Sequence, residues 1–373
     1  MENLTLNGRW QVRQAGKTEE SWLPATVPGC VHTDLLAAGE IPDPFYRDNE
    51  LQVLWVGEAD WLYRRAFDVP ETFLAHDQVL LRGAGLDTLA TIWINGQEIG
   101  RADNMFRVWE FDVKAYLRPG TNEIVIRFDS AVRAGQEKLA RHYIHNWGTD
   151  DHKLPGGNYL RKAAYHFGWD WGPKLAPCGI WRDIELIAFD TRLDGLHIVQ
   201  IHGQAGQVTL GVEVDVQGTG GAGLSAVCTV VFQGQTLLEE QTAVAGSRAF
   251  LELHIAEPRL WWPNGMGEQP LYEVQVRLLD GTGAAVDMWQ RQIGLRTLAL
   301  DRHEDEWGES FQFVVNGVPF FAKGANWIPA DSFVTRVADD VYWGLLADAA
   351  AANMNMLRVW GGGIYEQDVF YEY

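Results

Sequence analysis

The sequence predicts a mainly β protein: two consecutive β-sandwiches followed by the first units of a β/α segment. Three observations carry this. Short runs of alternating apolar and polar residues, punctuated by Gly, Asn, Asp and Pro turns, recur through roughly the first 297 residues. The one strong helical pattern comes late, at 338–352, between two short apolar runs. A chain of 373 residues also exceeds what one ordinary core holds, so two or three domains are expected, placed at 1–192, 193–297 and 298–373.

In the first domain, strands are expected at 8–13, 61–67, 78–82, 88–94, 122–128 and 180–189, the pattern of a β-sandwich or jelly roll. Asn95-Gly96 predicts a tight hairpin turn, because both residues tolerate the positive φ that such a turn demands. A short helix is expected at 131–145, then a polar loop at 146–158 that is long for a compact sandwich. From about 194 the alternation becomes cleaner: strands at 208–216, 226–232, 250–255, 272–279 and 288–293 fit an immunoglobulin-like sandwich of about seven strands, with a Gly-rich tip at 218–223. The third segment predicts a hairpin at 311–320, a short buried strand at 321–326, the helix, a second buried strand at 354–360 and the start of another helix at 366–373. Two such strands neither close a barrel nor cover a sheet, so the segment reads as a fragment.

Composition narrows the function. Fifty acidic residues against thirty basic give a net charge of −20, which repels phosphate backbones and anionic lipid and argues against nucleic-acid or membrane partners. No apolar run approaches the roughly 18 residues that span a bilayer, and the acidic start Met1-Glu2-Asn3 does not read as a signal peptide. Cys30, Cys178 and Cys228 are odd in number and scattered, unlike a disulfide framework or zinc cluster; a cytoplasmic protein without metal or cofactor is expected. Seventeen Trp exceed what cores of this size require and favour a surface that stacks on something flat or apolar.

The most informative stretch is Tyr165-His166-Phe167-Gly168-Trp169-Asp170-Trp171-Gly172-Pro173. Read as extended chain, it puts Trp169 and Trp171 on one face and Asp170 on the other. A carboxylate beside indoles suits a sugar: the acid accepts hydroxyl hydrogen bonds while rings stack on C–H faces. The alternative is a hydrophobic corner with Asp170 paired to Arg161, Lys162 or Arg182. Gly361-Gly362-Gly363 lacks the spacing and the Lys-Ser/Thr of a phosphate loop. The run His303-Glu304-Asp305-Glu306 reads as a solvated acidic loop rather than metal ligands. His142, His145 and His152 crowd the loop before the Trp-Asp-Trp motif and are expected to order it or line a pocket rim.

Taken together, several segments resemble the β-mannosidases of glycoside hydrolase family 2, along essentially the whole chain. They are Val27-Pro28-Gly29-Cys30-Val31-His32, Leu86-Asp87-Thr88 leading into Trp93-Ile94-Asn95-Gly96, the Arg161-Lys162 pair with the 165–173 stretch, Leu260-Trp261-Trp262-Pro263-Asn264-Gly265, Lys323-Gly324-Ala325-Asn326-Trp327, and Leu357-Arg358-Val359-Trp360-Gly361-Gly362-Gly363. The resemblance implies a jelly-roll sugar-binding domain, an immunoglobulin-like β-sandwich and the start of a (β/α)8 TIM barrel. It further implies a retaining exo-β-mannosidase acting on β-mannoside oligosaccharides, with no cofactor and with the acid/base and nucleophile Glu expected beyond Tyr373, so the fragment alone is expected to be inactive. Trp169, Asp170, Asn326, Trp327, Arg358 and Trp360 are then the expected substrate-binding residues; a barrel ion pair for Arg358 and a core aromatic for Trp360 are the alternatives. Same-group rivals are an exo-β-glucosaminidase or a β-glucuronidase; a different-class rival is a non-catalytic carbohydrate-binding or scaffold module.

Overall fold

The computed structural model describes residues 1–145, 153–218 and 223–373; His152 and most of the Gly-rich tip at 219–222 lie outside them. Contacts gather the chain into two compact units: residues 2–188 with 327–344 and 359–373, and residues 189–326 with 345–358 and Met1. The segment after 298 is therefore shared out between the two units.

The first unit is a sandwich of a six-stranded sheet, in the order Leu23–Val27, Gly8–Gln14, Trp61–Val69, Gly120–Asp129, Leu89–Ile94, Gln97–Ala102, and a four-stranded sheet, in the order Glu2–Thr5, Ile184–Phe189, Gln78–Gly83, Trp109–Asp112. Period-two alternation places Trp61, Tyr63, Phe67 and Val69 of one central strand inside, opposite Ile124, Ile126 and Phe128 of its neighbour. The Asn95-Gly96 turn forms as expected, with φ of 50° and 81°. Asn95 also donates to buried Asn122 at 2.8 Å and accepts from the Glu123 N–H, so the turn is locked to the neighbouring strand. The predicted helix at 131–145 spans Ala131–Arg141, and its Ser130 N-cap accepts from the Arg133 N–H. Short helices at Val31–Ala37, Asn49–Gln52 and Leu54–Glu58 carry no long apolar period and escaped the sequence reading.

The far end of this sandwich contains a buried polar group. Lys162 has no exposed side chain; it donates to Asp87 and to the Pro177 carbonyl, with His166 Nδ1 3.6 Å from the same carboxylate. His32 is fully buried, stacks on Phe333 at 5.4 Å, and has no hydrogen-bond partner among the described residues. Asp34 accepts from the Tyr63 hydroxyl at 2.7 Å and the Thr26 N–H.

Burial, aided by the Lys162 charge, pushes His32 down to about 3 and His166 well below the ordinary imidazole range; burial pushes Asp34 up to about 6. Between pH 6 and 4.5 the unfolded chain thus holds two imidazole protons that the fold refuses, whereas the fold holds one Asp34 proton that the unfolded chain lacks. The net difference is about one proton favouring the unfolded state, so stability falls with falling pH by about 1.4 kcal/mol per pH unit. His32→Phe, which keeps the ring contact with Phe333, is expected to lessen this slope by about 1.4 kcal/mol per pH unit. Urea midpoints at pH 7.5, 6 and 5 check it, and an unchanged slope would remove His32 from the account.

The second unit is a sandwich of Thr191–His202, Val208–Gly218 and Arg248–Ile255 against Gln235–Ala243, Ser225–Phe232, Tyr272–Leu279 and Ala285–Ile293, the seven strands expected, counted among the described residues. Strict alternation along Arg248–Ile255 and Tyr272–Leu279 fills its core with Leu251, Leu253, Val274 and Val276. Beyond it, Leu298–Asp301, Gln312–Val315 and Val318–Phe320 form a meander that turns at Asn316-Gly317.

A strand–helix–strand unit follows: Gly324–Trp327 pairs with Met356–Val359, and Asp339–Ala351 is the helix between them. A Cβ at Gly324 would collide with the Met356 carbonyl oxygen, which explains the glycine. These strands are less buried than the sequence suggested: Gly324, Ala325, Asn326 and Arg358 are exposed. The Trp-Pro-Asn-Gly loop braces this unit, because Asn264 donates to the Ala350 and Met354 carbonyls at 3.1 and 3.0 Å, at and just beyond the end of the helix. Trp261 packs on Gly294 beneath the Arg296 guanidinium, a structural role.

Candidate functional site

The Trp-Asp-Trp segment is a tight turn, not the extended chain the alternation suggested. Trp169 and Gly172 form an antiparallel bridge, with Asp170 and Trp171 at the tip between them. Preceding it, Ala164–Phe167 is a 3-10 turn ending at Gly168, whose φ of 101° few other residues adopt. This chain reversal, entered through Gly168, is what the period-two reading missed. The indoles nonetheless converge. Trp360 lies edge-on to Trp169 at 5.0 Å and to Trp171 at 6.1 Å between ring centroids. The Trp360 ring rests on Gly362, where any Cβ would collide with it, so the middle glycine serves the indole rather than a phosphate.

Asp170 is exposed, and no hydrogen bond or ion pair to its carboxylate is found among the described residues. Of the bases that a hydrophobic corner would need, Lys162 is bound to Asp87 and Arg182 lies over Trp181, and no ion pair of Asp170 with Arg161, Lys162 or Arg182 is found among the described residues. Asp170 and Trp171 border an open pocket of about 500 Å³, inside the roughly 300–1,000 Å³ range of small-molecule sites. The Trp171 Nε1 and the hydroxyl of buried Tyr165 have no partner among the described residues, although a buried donor ordinarily has one. Burial, with Glu366 and Asp87 nearby, pushes the Tyr165 phenol well up, so it remains a neutral donor. Lys153 places its ammonium 3.4 Å from the Trp169 ring centroid. Lys153 was not singled out from sequence, and Tyr165 and Trp171 entered only as members of the 165–173 stretch, not as expected substrate-binding residues.

The remaining expected residues divide by unit. Trp327 is buried among Tyr342 and Phe370, and its indole N–H donates to Glu366 at 2.9 Å. Tyr342 donates to the other oxygen of Glu366 at 2.8 Å, and burial, together with this bond, raises the Tyr342 phenol. Glu366 is itself 4% exposed, so both its oxygens are committed inside the fold. In the second unit, Arg358 donates to the Asn326 side-chain oxygen at 3.0 Å, an exposed pair. Of the loop histidines, His145 meets the Tyr143 hydroxyl at 3.4 Å, and the His142 carbonyl accepts from Tyr159. His303 is exposed beside Asp301, as a solvated loop would be. Another open pocket, about 590 Å³, lies on the second sandwich at Phe232, Arg259 and Glu268; its Arg and Glu pair with each other, and it holds none of the expected residues.

The profile described as glycosyl hydrolase 2 galactose-binding domain-like matches residues 10–182, and that of glycosyl hydrolases family 2 matches 188–296. The chain belongs to glycoside hydrolase family 2. Its similarity within that family is to β-mannosidases. It is 38% identical to beta-mannosidase B of Emericella nidulans over 98% of this chain and 44% of that protein, and 37% identical to that of Thermothelomyces thermophilus over 99% and 43%. The crystal structure of a β-D-mannosidase from Dictyoglomus thermophilum is 41% identical, with a TM-score of 0.93 over all of this chain and 46% of that one. An Amycolatopsis orientalis exo-chitosanase, 21% identical with a TM-score of 0.74 over all of this chain and 42% of its own, shares the fold. The chain spans less than half the length of the curated relatives it matches. Among the described residues no helix is long and apolar enough to cross a membrane.

Proposed function

We propose that this chain supplies the sugar-binding sandwich, the immunoglobulin-like sandwich and the opening of the (β/α)8 barrel of a retaining exo-β-mannosidase, which removes terminal non-reducing β-D-mannose from oligosaccharides. The observation that carries the reading is Asp170: an exposed carboxylate without a partner among the described residues, held on a turn between two indoles that pack on Trp360. In this reading Asp170 accepts the hydroxyls of the terminal mannose, and Trp360 and Trp169 line its apolar faces. Trp327 supports the site indirectly, by holding Glu366. A net charge of −20 suits a neutral glycan and disfavours nucleic acid, and three buried unpaired cysteines suit a cytoplasmic location.

Retaining chemistry needs two carboxylates about 5–5.5 Å apart. Glu366 is spent on Trp327 and Tyr342, and Asp170 is a binding group here; the family resemblance implies that the acid/base and nucleophile Glu lie beyond Tyr373. The 373-residue chain, rigorously purified, is accordingly expected to show no turnover of a 4-nitrophenyl β-mannoside, whereas the natural full-length protein cleaves it. Activity of the chain that vanished in Glu366→Gln would return the catalytic role to Glu366. Preference of the full-length protein for β-glucosaminides or β-glucuronides would replace mannose by those sugars, and absence of any hydrolysis would favour a binding module.

A further inference from the structure

The pocket bordered by Asp170 has a second wall, formed by the segment from Pro44 to Leu51. This wall is built rather than loose. Asp43 accepts from the Phe45 N–H at 3.0 Å, and its carbonyl accepts from Asn49 at 2.8 Å and from the Tyr46 N–H. Phe45 packs edge-on to Phe333 at 5.7 Å beneath the Arg336 guanidinium. Glu50 accepts from the Lys174 N–H at 2.8 Å, which fixes the wall to the segment leaving the Trp-Asp-Trp turn.

Arg47 stands in this fixed frame with a φ of 54°, a left-handed conformation that costs an Arg energy and that surrounding contacts must hold. Among the described residues its guanidinium has no carboxylate partner and lies only over the Tyr46 ring, 5.1 Å from the centroid. A pocket with a fork of N–H donors on one wall and a lone carboxylate on the other is matched to a polyhydroxylated ligand, whose hydroxyls both donate and accept. The exposed residues Phe45, Arg47 and Leu51 form the rim, so they meet the part of a ligand that protrudes from the aromatic floor at Trp171.

We infer that Arg47 is a specificity-determining residue that binds the second sugar of the substrate, the unit joined to the terminal one and released as the leaving group. This rests on the β-mannosidase reading of the same site. It implies that oligosaccharides gain binding that a small aryl aglycone does not.

The test compares β-1,4-mannobiose with 4-nitrophenyl β-mannoside on the full-length protein, for wild type, Arg47→Ala and Arg47→Lys. The ratio of kcat/KM on mannobiose to that on the aryl glycoside is expected to fall at least about fivefold in Arg47→Ala, chiefly through KM on mannobiose. Arg47→Lys, which keeps the charge but loses the planar fork, is expected to recover part of the ratio. An unchanged ratio, or a fall on both substrates in parallel, overturns the role of Arg47 while leaving the enzyme reading intact. Failure of the wild type to cleave either β-mannoside overturns both.

Discussion

Asp170→Ala in the full-length protein is expected to lower kcat/KM on β-mannosides by at least tenfold while leaving the melting temperature unchanged. The two halves of that expectation have separate causes. Asp170 sits exposed at the tip of a turn without a partner among the described residues, so its removal takes no stabilising contact from the fold; surface changes of that kind usually stay within about 0.5 kcal/mol. A carboxylate that accepts sugar hydroxyls makes charge-assisted hydrogen bonds, each contributing roughly 1.5–3 kcal/mol. These bonds tighten as the ring flattens toward its oxocarbenium-like transition state, so the loss falls on kcat/KM and in part on kcat. Trp169→Ala is a useful contrast, because stacking holds ground state and transition state alike and its loss raises KM. Steady-state kinetics beside thermal melts decide the matter. Full activity in Asp170→Ala would leave the turn a structural motif only.

The largest effect on stability is expected from Lys162→Met. Lys162 has no exposed side chain, and its partner Asp87 is also buried, so the substitution leaves a carboxylate in the interior without its cation. Breaking a buried pair from one side costs about 3–5 kcal/mol, against near neutrality when both partners are replaced together. The Pro177 carbonyl loses its donor as well. A drop in melting temperature on the order of 10 °C follows for a unit of this size. Lys162→Met with Asp87→Asn is expected to recover a large part of it. A single variant that melts within about a degree of wild type would mean that the pair is replaceable by packing alone.

How much of this could be read from the chain depends on the range of the interactions. The Asn95-Gly96 hairpin, the alternating strands of the second sandwich and the helix at Asp339–Ala351 are set by near neighbours, and their periods are written in the sequence. The Trp-Asp-Trp turn was misread as extended because alternation looks the same in a strand and in a tight reversal flanked by glycines. The meeting of Trp169 with Trp360 was legible only through the family resemblance, since nothing local relates residues so far apart. The rim at Arg47 and the orphaned donors of Tyr165 and Trp171 were not legible at all: a left-handed Arg has no sequence mark, and an unpaired donor is visible only once its surroundings are known.

The contact of Phe333 with His32 also has a consequence in time. The imidazole belongs to the first sandwich, whose strands have all been made by about residue 189, yet the ring that covers it is synthesised much later. At roughly 5–20 residues per second, the ribosome takes on the order of ten seconds to reach it. Throughout that interval the nascent sandwich lacks the ring that stacks on His32, and this face is left for a holding chaperone to cover.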